Sequence, residues 1–414
     1  MATPVALCRI CGARDLEPVV SLGDMPPVNS FLANEAEIAR EGRYPLALVY
    51  CAACTHVQLT HMLDPRDVFT DYIYFSSMSE TVVRHGEALA ARYAKELALA
   101  PGDLVAELAS NDGCILKPFR AHARVFGVEP AKNIAEVANR EGVPTLADFF
   151  HTGTAAKVRA EHGPARLVMA RNVVAHVPEV VDFCRGVAHW LADDGVFHME
   201  APYLRDMLAH LEFDTIYHEH LSYFSVTALA RLFDEAGLVL WDVEELGLHG
   251  GSVIARGKKK GHATPKPSVA AFIDAERAQG LVPGKAGVPP VLAAFAEGTR
   301  RLKTEIPTAL GALKAQGKKL AAYGAAAKGV VLLNYCGVGR ETLDFVADRS
   351  PYKQGKLMPG VHLPVVAPDQ VMAERPDVLV VLAWNFFDEI RKQLAPYEAA
   401  GGKFLLPVPA PRLV

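Results

Sequence analysis

The sequence predicts an α/β protein in which a small cysteine-bearing module precedes two doubly wound sheets. Three observations predict it. Cys8 and Cys11 in "CRICG", and Cys51 and Cys54 in "CAACTHVQL", form two C-x-x-C pairs near the start of the chain. From about residue 76, short β-branched runs alternate with helical stretches, the pattern of strand–helix–strand units. The same alternation begins again after residue 259, with a fresh small-residue turn at "YGAAAKG".

Bulk properties narrow the class. A chain of 414 residues exceeds what one core usually serves, so two or three domains are expected. With 22% charged residues and a net charge of -4 there is no basic field to gather nucleic acid or an anionic membrane. No apolar run reaches the ~18 residues that would span a bilayer. "MATPVALCRICG" has no basic stretch followed by an apolar one, so a cytoplasmic protein is expected.

Residues 1–75 hold the four paired cysteines. Two knuckles can bring four thiolates into the tetrahedron that zinc requires, and a closed four-thiolate site holds structure rather than doing chemistry. Buried or redox-active thiols are the alternative. "SLGDMPPVNSFL" between the knuckles is rich in turn formers and reads as an ordered loop.

Residues 76–258 read as a Rossmann-like domain. A helix over 79–99 leads to "DLVAELASNDGCILKPF", a strand, an acid and a small-residue turn. "RVFGVEP" is a second strand ending in Glu129, where an acid can take both ribose hydroxyls of a nucleoside. Glu107, Ser110, Asn111, Asp112 and Gly113 would form the cofactor turn, with Asp148 and Phe149 of "ADFF" and Asn172 beyond later strands. A dinucleotide turn would carry G-x-G-x-x-G, whereas "ELASNDG" has Gly113 alone; this suits a cofactor without a pyrophosphate, such as S-adenosylmethionine. A plain βα turn is the bland alternative. "RGKKKGHATPKP" reads as a basic, solvated linker into the third part, 259–414. There, the helix start at "AAAKG", with Lys328 and nearby Arg349, Lys353 and Lys356, suits a phosphate or diphosphate, and Trp384-Asn385 makes a later turn.

The run "DTIYHEHLSYFS" (214–225) is the densest polar patch. His218 and His220 are two apart, so it is no H-E-x-x-H zinc helix. Taken together with "ELASNDG", "VEP", "RNVVAHV", "HGGS", "GAAAKG", "DRSPYKQGKLMPG" and "AWNFFDEI", it resembles the sugar C-methyltransferases that act on C3 of nucleotide-linked 4-keto-6-deoxy sugars. The resemblance covers the whole chain. Ala106 and Ala109 depart from a turn that more usually has glycine or isoleucine, and "GAAAKG" has alanine where a hydroxyl residue is common.

That resemblance implies a central class I S-adenosylmethionine methyltransferase domain between a zinc-binding domain and a C-terminal Rossmann-like domain. It implies His220 as the base that removes the C3 proton, with Tyr217, Glu219 and His176 orienting the imidazole, holding O4 or relaying the proton. It implies a nucleotide-diphosphate sugar as substrate, a dTDP-sugar favoured, bound by Tyr72 or Tyr74 and by Lys328, Arg349, Lys353, Lys356, Trp384 and Asn385, in a monomer or homodimer. His218 is expected to face the protein, and His198 to be a packed strand residue. His56 and His61 follow the second knuckle and could each replace a thiolate. Glu200 is open between catalysis and capping the next helix. An O- or N-methyltransferase, or an NAD-dependent oxidoreductase of a nucleotide sugar, are the competing enzymes, and a zinc ribbon on nucleic acid the competing binding module.

Overall fold

The computed structural model describes residues 2–66, 75–246 and 251–414. Tyr72, Tyr74, His249 and Gly250 lie outside them.

The first module is a four-stranded antiparallel sheet in the order Leu16–Met25, Tyr44–Cys51, Val57–Leu59, Ser222–Tyr223. Its fourth strand comes from the 214–225 run, with Ser222 opposite Gln58 and Tyr223 opposite Val57. "SLGDM" is strand rather than loop. Val20, Leu22 and Met25 are buried, and two register shifts absorb the turn-forming residues between them.

The central sheet has seven strands in the order Leu238–Leu246, Ser252–Lys259, Leu191–Pro202, Ala165–Arg171, Leu104–Leu108, Arg124–Val128, Thr145–Leu146. The last five are parallel, and the first two are an antiparallel hairpin on the edge. Leu104–Leu108 is buried at every position, as a strand covered on both faces must be. The helix Glu80–Glu96 begins where the Ser79 side chain accepts from the Val82 amide, and it buries Leu89, Ala90 and Tyr93. The expected basic linker starts late. Arg256 is only 4% exposed in the strand Ser252–Lys259 and pairs with Glu96, Asp242 and Glu244. Paired charges explain Arg256 and Lys259, whereas 260–267 is largely exposed, as a solvated linker should be. The helix Pro267–Ala278 still packs on the central core through Val269, Phe272 and Ile273.

The third sheet runs Val365–Val366, Val346–Ala347, Leu320–Tyr323, Val378–Val381, Lys403–Leu406, Arg412–Leu413, parallel except for the last pair. Strand order reverses beside Leu320–Tyr323, so the loops after it and after Val378–Val381 form a switch point. The long helix Pro290–Ala315 buries Phe295, Leu302, Ile306 and Leu310 in a core shared by this sheet and the first module. The four cysteines instead share a core with the central sheet. The chain is therefore knitted across its sheets, with the 214–225 run at the seam. Among the described residues no helix is long and apolar enough to cross a membrane.

Candidate active site

The four cysteine sulfurs lie within 4.8 Å of one another. Cys8 and Cys54 are 3.5 Å apart, Cys11 and Cys51 3.6 Å. Zinc–thiolate bonds of about 2.3 Å in a tetrahedron give sulfur–sulfur edges of about 3.8 Å, so the set fits. Each knuckle is closed by an amide: Gly12 N donates to the Cys8 carbonyl at 2.9 Å and Thr55 N to the Cys51 carbonyl at 2.8 Å. Neither neighbouring histidine joins the cluster. His56 is buried with its ring stacked on Phe224, and His61 Nδ1 meets Thr60 Oγ1 at 2.9 Å.

After Leu104–Leu108 the chain turns through left-handed Ala109 and Asn111 (φ 52 and 51°) to Gly113 at φ 75°. Glu129 fixes this turn, accepting from Asn111 N and from Ala131 N, both at 2.9 Å. Gly127 is required beneath it, because a Cβ there would stand 2.3 Å from Ser110 Oγ. Asn111 and Asp112 accept from Ser76 N (2.8 Å) and Ser77 N (3.1 Å), tying the start of the first central helix region to the turn. Glu107 is buried, with Arg171 Nε at 3.1 Å on one oxygen and no protein partner on the other. Burial pushes its carboxyl up to about 7 against the pull of Arg171. Asp148 and Phe149 follow the Thr145–Leu146 strand, and Phe149 is partly exposed. Asn172 is exposed after Ala165–Arg171, in the left-handed region at φ 51°.

Glu200 neither caps a helix nor stands open. It accepts from His198 Nε2 (2.8 Å) and meets His85 Nε2 (2.7 Å), and the next helix, Leu204–Ala209, has no side-chain cap. Burial would raise this carboxyl, but the two imidazoles and Arg171 outweigh it and hold it low. His198 is a packed strand residue, fully buried against Tyr93 Oη at 2.7 Å.

The run 214–225 gathers the remaining chemistry. His220 Nδ1 lies 2.9 Å from the Thr215 carbonyl, which can only accept. Nδ1 therefore carries the proton, Nε2 bears the lone pair, and Tyr217 Oη donates to it at 2.7 Å. His176 repeats the pattern, donating from Nδ1 to the Glu219 carbonyl at 2.7 Å, with its ring centroid 4.9 Å from that of His220. Burial holds both imidazoles below their ordinary range, His176 at about 4, so both are neutral near pH 7. Burial raises the Glu219 carboxyl to about 7, and Asn29 Nδ2 donates to it at 2.7 Å. His218 points away, its Nε2 3.2 Å from the Tyr44 carbonyl.

The cationic candidates of the third sheet are partly engaged. Lys328 Nζ is 3.2 Å from Glu212 Oε2 and 4.6 Å from the Trp384 ring centroid. Lys353 Nζ donates to the Ala325 carbonyl at 2.8 Å and lies 5.2 Å from the Phe31 ring. Arg349 is exposed and pairs loosely with Glu389 at 3.6 Å. Lys356 and Asn385 are half-buried on the same loops.

The sequence profiles of three families cover the chain: a zinc binding domain over residues 8–69, a methyltransferase domain over 58–243 and a C-methyltransferase C-terminal domain over 247–409. C-methyltransferase NovU of Streptomyces niveus is 37% identical over 414 residues, 99% of this chain and 97% of the relative. This chain belongs to the S-adenosylmethionine-dependent C-methyltransferases. Among solved structures, a S-adenosylmethionine-dependent methyltransferase from Clostridium acetobutylicum overlaps 43% of the chain and 92% of its own length, at 12% identity and TM-score 0.36. Magnesium protoporphyrin IX methyltransferase from Synechocystis, with bound SAM, overlaps 46% and 86%, at 13% and 0.34. Neither likeness is close enough to carry an argument.

The methyl donor of this C-methyltransferase is S-adenosylmethionine, and its four-cysteine cluster is a zinc site. Two residues of the site escaped sequence reading. Asn29 reaches Glu219 from the loop after the first strand of the zinc module, and Asp214 accepts from Trp384 Nε1 at 2.7 Å. Asp214 opens the 214–225 run, but its partner lies 170 residues away, and no local pattern signals that contact.

Proposed function

We propose that this C-methyltransferase methylates C3 of a nucleotide-diphosphate-linked 4-keto-6-deoxy sugar through an enolate, with His220 as base. S-adenosylmethionine, when bound, supplies a methyl group on a sulfonium sulfur. Substrate displaces the Tyr217 hydroxyl from Nε2 toward O4, which frees the lone pair to take the C3 proton. The C3–H electron pair passes into the enolate, whose charge on O4 is steadied by the Tyr217 hydroxyl, while His176, its Nδ1 proton held by the Glu219 carbonyl, is placed to relay a proton. The bound cofactor would supply the methyl group that C3 takes, its sulfonium leaving as a neutral thioether. Glu219, balanced between its two protonation states near pH 7, orients the sugar hydroxyls.

Glu129 would hold the ribose of the cofactor, and Phe149 and Asp148 would hold its adenine. Glu107, Ser110, Asn111, Asp112, Gly113 and Asn172 line the remainder. Arg349 and Lys356 meet the diphosphate, while Lys328, Lys353, Trp384 and Asn385 wall the cleft, with Tyr72 or Tyr74 closing it. The single observation that carries the reading is the tautomer of His220, set by a carbonyl that can only accept.

The test is incubation with a panel of 4-keto sugar nucleotides in D2O. With S-adenosylmethionine, mass spectrometry should find a product heavier by one methylene; without it, deuterium should enter C3. His220→Asn should lose turnover by ~10²–10⁴-fold while cofactor affinity holds. Product formation with no C3 exchange would end the enolate reading.

A further inference from the structure

The turn Phe213–Thr215, with its N-cap, makes three polar contacts and buries Phe213 against Tyr335. Glu212, at its N-cap, pairs with Lys328; Asp214 accepts from the Trp384 indole; and the Thr215 carbonyl accepts from His220 Nδ1. Lys328 and Trp384 stand on the two switch-point loops of the third sheet, stacked one over the other at 4.6 Å. A three-residue 3-10 turn has little stability of its own, so its place is set by what it holds. The Asp214 side chain is fully buried, and its other oxygen, Oδ1, has no protein partner. A buried carboxyl with one hydrogen bond is costly to keep for packing alone. Its neighbours are a cation and an indole that both belong to the far sheet.

We propose that Asp214 is a positioning residue for the reaction: by anchoring Trp384 it fixes the turn whose next carbonyl holds the tautomer and place of the His220 imidazole. This rests on the base role given to His220. It makes the third sheet part of the catalytic device rather than only a wall of the cleft. When a ligand seats on the loops carrying Lys328 and Trp384, their movement reaches the imidazole through one turn.

The coupling is read by 15N NMR of histidine-labelled protein, with the His220 signals assigned by their loss in His220→Asn. In the wild type, Nδ1 should show the protonated and Nε2 the unprotonated signature. Asp214→Ala and Trp384→Phe should each move His220 toward a mixture of tautomers. Each should also lower kcat by ~10-fold or more, with the Kd for S-adenosylmethionine within about two-fold. The double variant should be no worse than either single one. Asp214→Asn, whose amide oxygen still accepts from the indole, should restore most of both readouts. An unchanged His220 signature in Trp384→Phe, or Asp214→Asn as impaired as Asp214→Ala, overturns the proposal. If Asp214→Ala does not fold, Trp384→Phe and Asp214→Asn decide it alone. If the wild type methylates no keto sugar, the substrate reading fails while the NMR arms still test the coupling.

Discussion

Glu129 ends the second strand of the central sheet, and Asp348 ends the corresponding strand of the third. Each carboxylate takes one amide from its sheet's first turn and one from two residues beyond itself. For Glu129 these are Asn111 N and Ala131 N; for Asp348 they are Ala325 N at 2.7 Å and Ser350 N at 2.8 Å. The two sheets thus lock their turns alike. They diverge past that lock. The central turn stays irregular through Ala109, Asn111 and Gly113, all left-handed, and leads only to the short 3-10 turn Lys117–Ala121. The other needs left-handed Gly324 alone and runs directly into the helix Ala327–Cys336. Its Lys328 is already neutralised by Glu212. An acid at a strand end therefore does not by itself mark a nucleoside site. The open turn suits a ligand, while the closed one joins a sheet to the active-site run.

The largest effect expected is outside both sheets. Cys51→Ser should cost several kcal/mol of stability, because metal binding at such a site is folding energy. Melting with and without a chelator checks it, and a normal melt with zinc retained would leave neither sheet dependent on the metal. Next, Glu129→Ala should weaken S-adenosylmethionine binding by ~10²-fold, because it frees two turn amides and removes the carboxylate proposed to hold the ribose. Asp348→Ala should leave that Kd within about two-fold and lower stability by ~1–3 kcal/mol instead. Equal losses of affinity in titration calorimetry would erase the distinction between the two turns.

A smaller effect concerns pH. Burial raises the Glu219 carboxyl from 4.5 to about 7, so the fold prefers its protonated form. That contribution is full below about pH 4.5 and is lost as pH rises through 7, worth ~1–3 kcal/mol. Between pH 5 and 8 the Tm of the wild type should fall relative to that of Glu219→Gln. The difference between the two proteins is the readout, because Asp214 and Glu107 are raised in the same way while His176 and His220 are held low and pull against them. The smallest is Ala109→Gly, which should gain up to ~1 kcal/mol by relieving a left-handed alanine. The same change at Ala326, which has no positive φ, should gain nothing.

How much the sequence discloses depends on the range of the physics. The two cysteine knuckles, the strand runs and Glu129 at the end of the second central strand are local patterns, and all were legible. The His218 carbonyl contact and the packed His198 were legible too, as ordinary fates of buried histidines. The basic stretch 256–259 was misread as solvated because its acids, Asp242 and Glu244 among them, lie on the paired strand. Asn29 beside Glu219 and Asp214 beside Trp384 join residues far apart in the chain, and neither contact leaves a periodic trace. For the same reason nothing local showed Lys328 paired with Glu212.

The strand Ser222–Tyr223 begins two residues after His220 and is completed by Val57–Leu59, just past the second knuckle. Thr55 and Ser225, 3.0 Å apart, bolt the same junction. An element from the middle of the chain thus completes a sheet of the amino-terminal module. The proposed base is therefore splinted by the module that the four cysteines close. A chain lacking the first 66 residues should lose that splint and uncover the part of the central core that the cysteines share.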